Sequence, residues 1–155
     1  MNLSRRLVAL VVIAGSLVLT APVAAEATAG CSQNNSQASA QKYLDALIDR
    51  NAARSIPLDP FVLRLENGVP TSVSAADLRL QLYLHVQYSV FESIENVVWT
   101  WQPDGRANVI NATYDIPVEL ADQSLGTSTV DEDFTLTPDC RIKRIDATFT
   151  IPPPA

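Results

Sequence analysis

Few side chains in this chain have both the type and the setting for chemistry. Glu132 sits in the stretch TVDEDFTLT, where period two puts Val130, Glu132, Phe134 and Leu136 on one strand face. A carboxylate on an apolar face resists ionising, and a neutral acid donates a hydrogen bond to a carbonyl oxygen. The structural alternative is that Glu132 pairs with an arginine or reaches a rim. Tyr43 lies on an apolar helical stripe, where it either donates to a ligand or is core with its hydroxyl satisfied locally. Glu66, just before Asn67-Gly68, supplies a second carboxylate. His85 is the sole histidine, and as a general base it would need an orienting carboxylate. Trp99 and Trp101 share a face with Val97, and Tyr114 shares one with Ile110 and Ile116. These aromatics, with Phe134, either line an apolar pocket or fill a core. One histidine, and three consecutive acids pointing to alternating strand faces at 131–133, give no metal site. No glycine-rich phosphate loop or G-x-S-x-G elbow is present, so no cofactor is expected.

The N-terminus carries its own signal. Met1 to Arg6 is basic, Leu7 to Leu19 is apolar, and Ala21 to Ala29 offers two A-x-A-like sites. This pattern predicts a signal peptide over 1–29 and a secreted or cell-envelope protein. The same run is short for a membrane span and no basic flank follows it. Cutting after Ala25 leaves 130 residues, enough for one core, with 9 basic against 17 acidic side chains. That charge argues against nucleic acid and anionic membranes as partners. Cys31 and Cys140 are the only cysteines. In an exported chain they make one disulfide; alternatively, Thr28-Ala29-Gly30-Cys31 provides small residues before a lipidated cysteine, the one route to a membrane.

The elements that must position these groups follow in order. Residues 30–39 are polar and predict a flexible arm. Ala40, Tyr43, Leu44, Leu47 and Ile48 recur at helical spacing and predict a helix over 37–51, with a further helical turn over 52–56. A short strand over 61–66 ends in the Asn67-Gly68 turn. Ser74 to Asp77 resembles a capping box and starts a helix to Leu84. Leucines alternating from Leu78 onward compete for a strand there, and the reading is helix with a switch near His85. A strand over 86–101, a turn at 103–105, a strand over 106–118, a loop over 119–127 and a closing hairpin over 129–151 complete a domain over 40–151. Residues 152–155 are a proline-rich tail. The layout is α+β, a curved antiparallel sheet with helices on one side.

Three pieces in this order resemble the NTF2-like superfamily in its SnoaL-like or ketosteroid-isomerase-like branch: AQKYLDALIDRN, VLRLENG and DEDFTLTPDCRIKRIDATF. The resemblance implies a cone with N-terminal helices on the concave side of the sheet, frequent homodimers through the outer sheet face, and a pocket reused for many chemistries. Isomerase members use a helix tyrosine, a strand-end aspartate base and a deep acid. Tyr43 and Glu132 match the first and last. The base position falls on Asn67, which cannot take a proton, so Glu66 fills that role only with a one-residue slip. Family members often carry glycine where Cys140 stands. Three functions follow: an exported pocket protein binding a small apolar molecule through Trp99, Trp101, Tyr114, Phe134 and His85; an isomerase- or lyase-type proton-transfer enzyme using Tyr43, Glu132 and Glu66; and a non-catalytic dimerisation or protein-interaction module.

Overall fold

A computed structural model describes residues 30–120 and 123–150. The expected signal segment over 1–29 and tail over 152–155 lie outside the described residues. Helix α1 spans Gln33–Ile48 and is N-capped by Ser32, whose Oγ accepts from the Asn35 N–H at 3.3 Å. The stretch expected as a flexible arm is therefore mostly helix. Its polar side chains are committed to specific bonds: Ser36 Oγ donates to Cys31 Sγ at 3.0 Å, and Ser39 Oγ donates to the Cys140 carbonyl at 2.8 Å. Ala40, Tyr43, Leu44 and Leu47 form the buried stripe that the spacing predicts. A 3-10 turn over Arg50–Ser55 follows.

Helix α2, Ala75–Leu84, settles the contest between helical and strand periodicity. Ser74 Oγ accepts from the Asp77 N–H at 3.2 Å. Burial of Leu78 and Leu82, at helical spacing, is worth about 2 kcal/mol each. The other two leucines of the alternation, Leu80 and Leu84, are left 55% and 57% exposed. His85, in the left-handed conformation at φ 55°, ends the helix.

Six strands make one sheet: β1 Leu58–Glu66, β2 Val69–Ser72, β3 Glu95–Trp101, β4 Val109–Leu120, β5 Gln123–Leu136 and β6 Ile142–Phe149, in the order β2-β1-β6-β5-β4-β3. Every neighbouring pair is antiparallel except β1 and β6, which run parallel. The sheet is curved and not closed, and the helices lie on its concave side. This is the expected α+β cone, with one parallel pair.

Three details differ from the expectation. The strand expected over 86–101 begins only at Glu95, because the left-handed turn at His85 leads into a strap, residues 85–94, whose Tyr88 points inward and is 2% exposed. A β-bridge from Phe91 to Val118 pairs the strap's backbone with the sheet. The loop expected over 119–127 is largely strand: Val118 pairs with Gly126 and Leu120 with Gln123. Gly126, at φ 109°, absorbs the register shift after Val118. Finally, the Asn67-Gly68 turn joins β1 to a second strand, β2, that composition did not announce.

Cys31 and Cys140 are bonded, with Cα atoms 4.9 Å apart, so the thiol that lipidation would require is used. The bond ties the start of α1 to the β5–β6 turn. Cys140 sits at φ 62°, a conformation that favours glycine. Closing a loop with a sequence separation of 109 restricts the unfolded chain by up to ~4–5 kcal/mol. The double variant Cys31→Ser/Cys140→Ser is expected to lose several kcal/mol in urea unfolding, and reductant is expected to bring the wild type down to the variant's midpoint.

Candidate functional site

Strand register builds the site row by row across the concave face. In one row Ile110, Phe134, Ile145 and Arg64 stand side by side on β4, β5, β6 and β1. Ile110, Phe134 and Ile145 are fully buried, and Phe134 meets Tyr43 of α1 edge-on at 5.5 Å. The next row reads Ala112, Glu132, Ala147 and Glu66. Two alanines flank Glu132, and at Ala147 the lack of side-chain bulk leaves a cavity of about 220 Å³. Glu132 and Glu66 lie two strands apart, roughly 10 Å between backbones. Beyond that row the walls turn apolar, with Ile116, Val118, Val130 and Phe149 from the sheet, Leu47 from α1, and Val90 and Phe91 from the strap.

The deep end is polar and tightly connected. Arg64, 3% exposed, forms an ion pair with Glu66 at 2.6 Å and donates to the Tyr88 hydroxyl. Its guanidinium lies 5.8 Å from the Tyr43 ring centre and 5.5 Å from that of Tyr88. Tyr114 donates to Glu132 Oε2 at 2.7 Å. The Tyr43 hydroxyl lies close enough to Glu132 to lower its pKa, but makes no hydrogen bond of ordinary geometry to any protein atom. Arg64 Nε is likewise buried without an acceptor.

Burial pushes the Glu132 carboxyl up to about 7, against the opposing pull of Arg64 and the Tyr114 and Tyr43 hydroxyls. Burial also raises Tyr43, Tyr88 and Tyr114. Arg64 stays charged: burial disfavours its cation, but Tyr43, Tyr88, Glu66 and Glu132 outweigh that. At neutral pH the cavity thus holds a fixed ion pair beside an acid that can carry or release its proton. Among the described residues, no three His, Cys, Asp or Glu side chains converge as a metal site requires.

The structure brings Glu66, Tyr114 and Glu132 to the cavity wall. Tyr43 stands just behind it. Asn67, at the family's base position, is exposed and binds the Phe149 N–H through Oδ1 at 3.0 Å, so the carboxylate facing the cavity is Glu66. The other expected ligand contacts lie elsewhere. Trp99 packs on Phe134 and Trp101 packs against the core, while Phe134 fills the row beneath the cavity. His85 Nε2 donates to the Leu47 carbonyl at 2.9 Å, capping the end of α1. Two cavity residues went unread in sequence, Arg64 and Tyr88. The signal for Arg64 was there: period two on β1 places it on the inward phase with Val62 and Glu66.

The Glu132 shift has a sign that stability can report. The folded state holds this proton more tightly than the unfolded chain does, so the stabilisation is present at low pH and is lost as pH rises toward about 7. Urea titrations of wild type and Glu132→Gln are expected to diverge between pH 4.5 and 8, with the variant gaining roughly 2–4 kcal/mol relative to wild type over that range.

The family model of a domain of unknown function (DUF8021) matches residues 31–149. No curated protein matches the chain. Among solved structures, a protein from Xanthomonas campestris pv. campestris named as a polyketide cyclase is 15% identical over 76% of this chain and 91% of that one, with a TM-score of 0.58. An NTF2-like protein of unknown function from Cytophaga hutchinsonii is 14% identical over 76% and 97%, at 0.55. A protein from Agrobacterium tumefaciens named as an isomerase of the SnoaL-like family is 13% identical over 76% and 98%, at 0.52. At such identities the likeness is one of fold, and the matched family supplies the rest: the chain is a member of the DUF8021 family built on the NTF2-like fold of SnoaL-like proteins.

Proposed function

We propose that this chain is an exported protein that binds a small, largely apolar molecule in the cavity floored by Glu132. The observation that carries the reading is the cavity's layout, apolar walls running down to a buried polar end of Glu66, Glu132 and Arg64, whose Nε lacks a partner. An apolar body gains from leaving water, and a polar group at one end fixes its orientation. The Cys31–Cys140 bond is compatible with an extracytoplasmic location and supports reading 1–29 as a signal peptide. The outer face of β4 and β5 carries a polar network, with Asn96 and Thr129 donating to Asp115, and Asn111 donating to Asp131 and Asp133. Burying that network in a homodimer would desolvate several carboxylates, which favours the cavity over a self-association surface as the working part.

Protein isolated from its own host under native conditions is expected to carry a small molecule that leaves on denaturation, read by mass spectrometry. Ala147→Phe fills the gap in the Glu132 row and is expected to weaken binding of that molecule at least tenfold with the circular dichroism spectrum unchanged. An empty native protein, or full binding by the variant, sinks the reading.

One observation favours a second reading, proton transfer of the isomerase or lyase type. Two carboxylates face one cavity, and burial raises the pKa of one of them to about 7. Glu66 would act as base and Glu132, with Tyr43, as acid. Deuterium uptake at the α-carbons of cyclohexanone in D2O is then expected to be accelerated by wild type and lost in both Glu66→Gln and Glu132→Gln.

A further inference from the structure

The strap over residues 85–94 forms one wall of the cavity, through Tyr88, Val90 and Phe91. It belongs to no regular element, and few bonds hold it. At its start the His85 ring binds the Leu47 carbonyl. At its far side the Glu119 N–H donates to the Val90 carbonyl at 3.0 Å, beside the bridge from Phe91 to Val118. Between them Val86, Gln87 and Ser89 are exposed, and only Tyr88 reaches down. Its hydroxyl ends on Arg64, and its ring packs on Phe91 at 5.8 Å. The polar attachment of the middle of the strap is therefore one buried guanidinium, beside the packing of the Tyr88 ring in the core.

That guanidinium has rival anchors. Arg64 holds Glu66 with one nitrogen and Tyr88 with another, while its Nε has no partner. Glu132 is the neighbouring acid, one row along and two strands across. The titratable groups acting on Glu132 are Tyr43 from α1, Arg64 and Glu66 from β1, and Tyr114 from β4; on β6 its partner is Ala147. Asp131 and Asp133 on its own strand point to the outer face and bind Asn111. While Glu132 keeps its proton, Arg64 and Glu66 balance one another and the Tyr88 bond stands. Once Glu132 is ionised, a second buried carboxylate competes for the same cation.

We propose that the strap is a lid over the ligand cavity, latched by the Arg64–Tyr88 bond, and that loss of the Glu132 proton draws Arg64 toward Glu132 and releases it. The inference rests on the ligand-binding reading for its purpose, but its physical content concerns the empty protein. Opening follows rising pH, and the pKa of about 7 for Glu132 sets the transition near neutrality.

Amide hydrogen exchange on the ligand-free, disulfide-intact protein tests this, with rates converted to protection factors to remove the intrinsic pH dependence. Between pH 5.5 and 8.5, protection of amides 86–91 is expected to fall at least tenfold further than that of the β4 and β5 amides, which follow only the global loss of stability. Glu132→Gln is expected to keep the strap protected at both values, and Tyr88→Phe to leave it open at both. Strap protection that is equal at both pH values in wild type overturns the proposal, as does a Glu132→Gln profile that falls like wild type or a Tyr88→Phe strap as protected as wild type. Because no ligand is involved, these outcomes are separate from the mass-spectrometric test of binding.

Discussion

The charge on Arg64 is the constraint from which the interior follows. A guanidinium held beneath a sheet costs several kcal/mol unless its surroundings neutralise it. Here neutralisation comes from Glu66 two residues along the same strand, from the face of Tyr43 and from the hydroxyl and face of Tyr88. Those partners come from α1, β1 and the strap, so the cation fixes three separate segments against one another. Glu132 is the remaining member. It adds a negative charge only when it loses its proton, and burial makes that loss expensive. The interior is balanced with Glu132 neutral and carries one excess negative charge with Glu132 ionised.

The cavity has a simple steric origin. Most of the concave face is filled, and the row of Ile110, Phe134 and Ile145 leaves no room. One row further, alanine replaces the large side chain on both sides of Glu132. The two alanines stand on β4 and β6, either side of β5; Ala112 is fully packed over, while the gap at Ala147 stays open to the cavity. The void that results puts the acid at its floor and the hydrocarbon of later rows along its sides.

The fold was legible where pattern and position agreed. Ala40, Tyr43, Leu44 and Leu47 gave α1 its buried face, and the alternation around Glu132 gave β5 its phase and placed a carboxylate inside. The cap at Ser74 outweighed the leucine alternation after it. Reading failed where the structure depends on partners distant in sequence. The arm became helix because Cys140, more than a hundred residues away, holds its start. The strand expected after His85 became a strap because Tyr88 reaches a guanidinium on β1, and no local period reports that. The site was half legible for the same reason. Glu66, Tyr114 and Glu132 reach the cavity wall, whereas Trp99, Trp101 and Phe134 support the sheet behind it and His85 caps a helix. Arg64 was overlooked because a charged residue in a short strand is ordinarily outward, and only its phase with Val62 says otherwise.

The disulfide has a consequence of a different kind. It joins Cys31, next to the N-cap of α1, to the final turn of the sheet, so residues 31–140 form one covalent ring. Any single cleavage within that ring, including one in the exposed part of the strap, leaves both fragments attached and the sheet's strands still paired. A nick becomes visible only after reduction. Surroundings rich in proteases would therefore have to cut this molecule twice, or reduce it first, before it came apart.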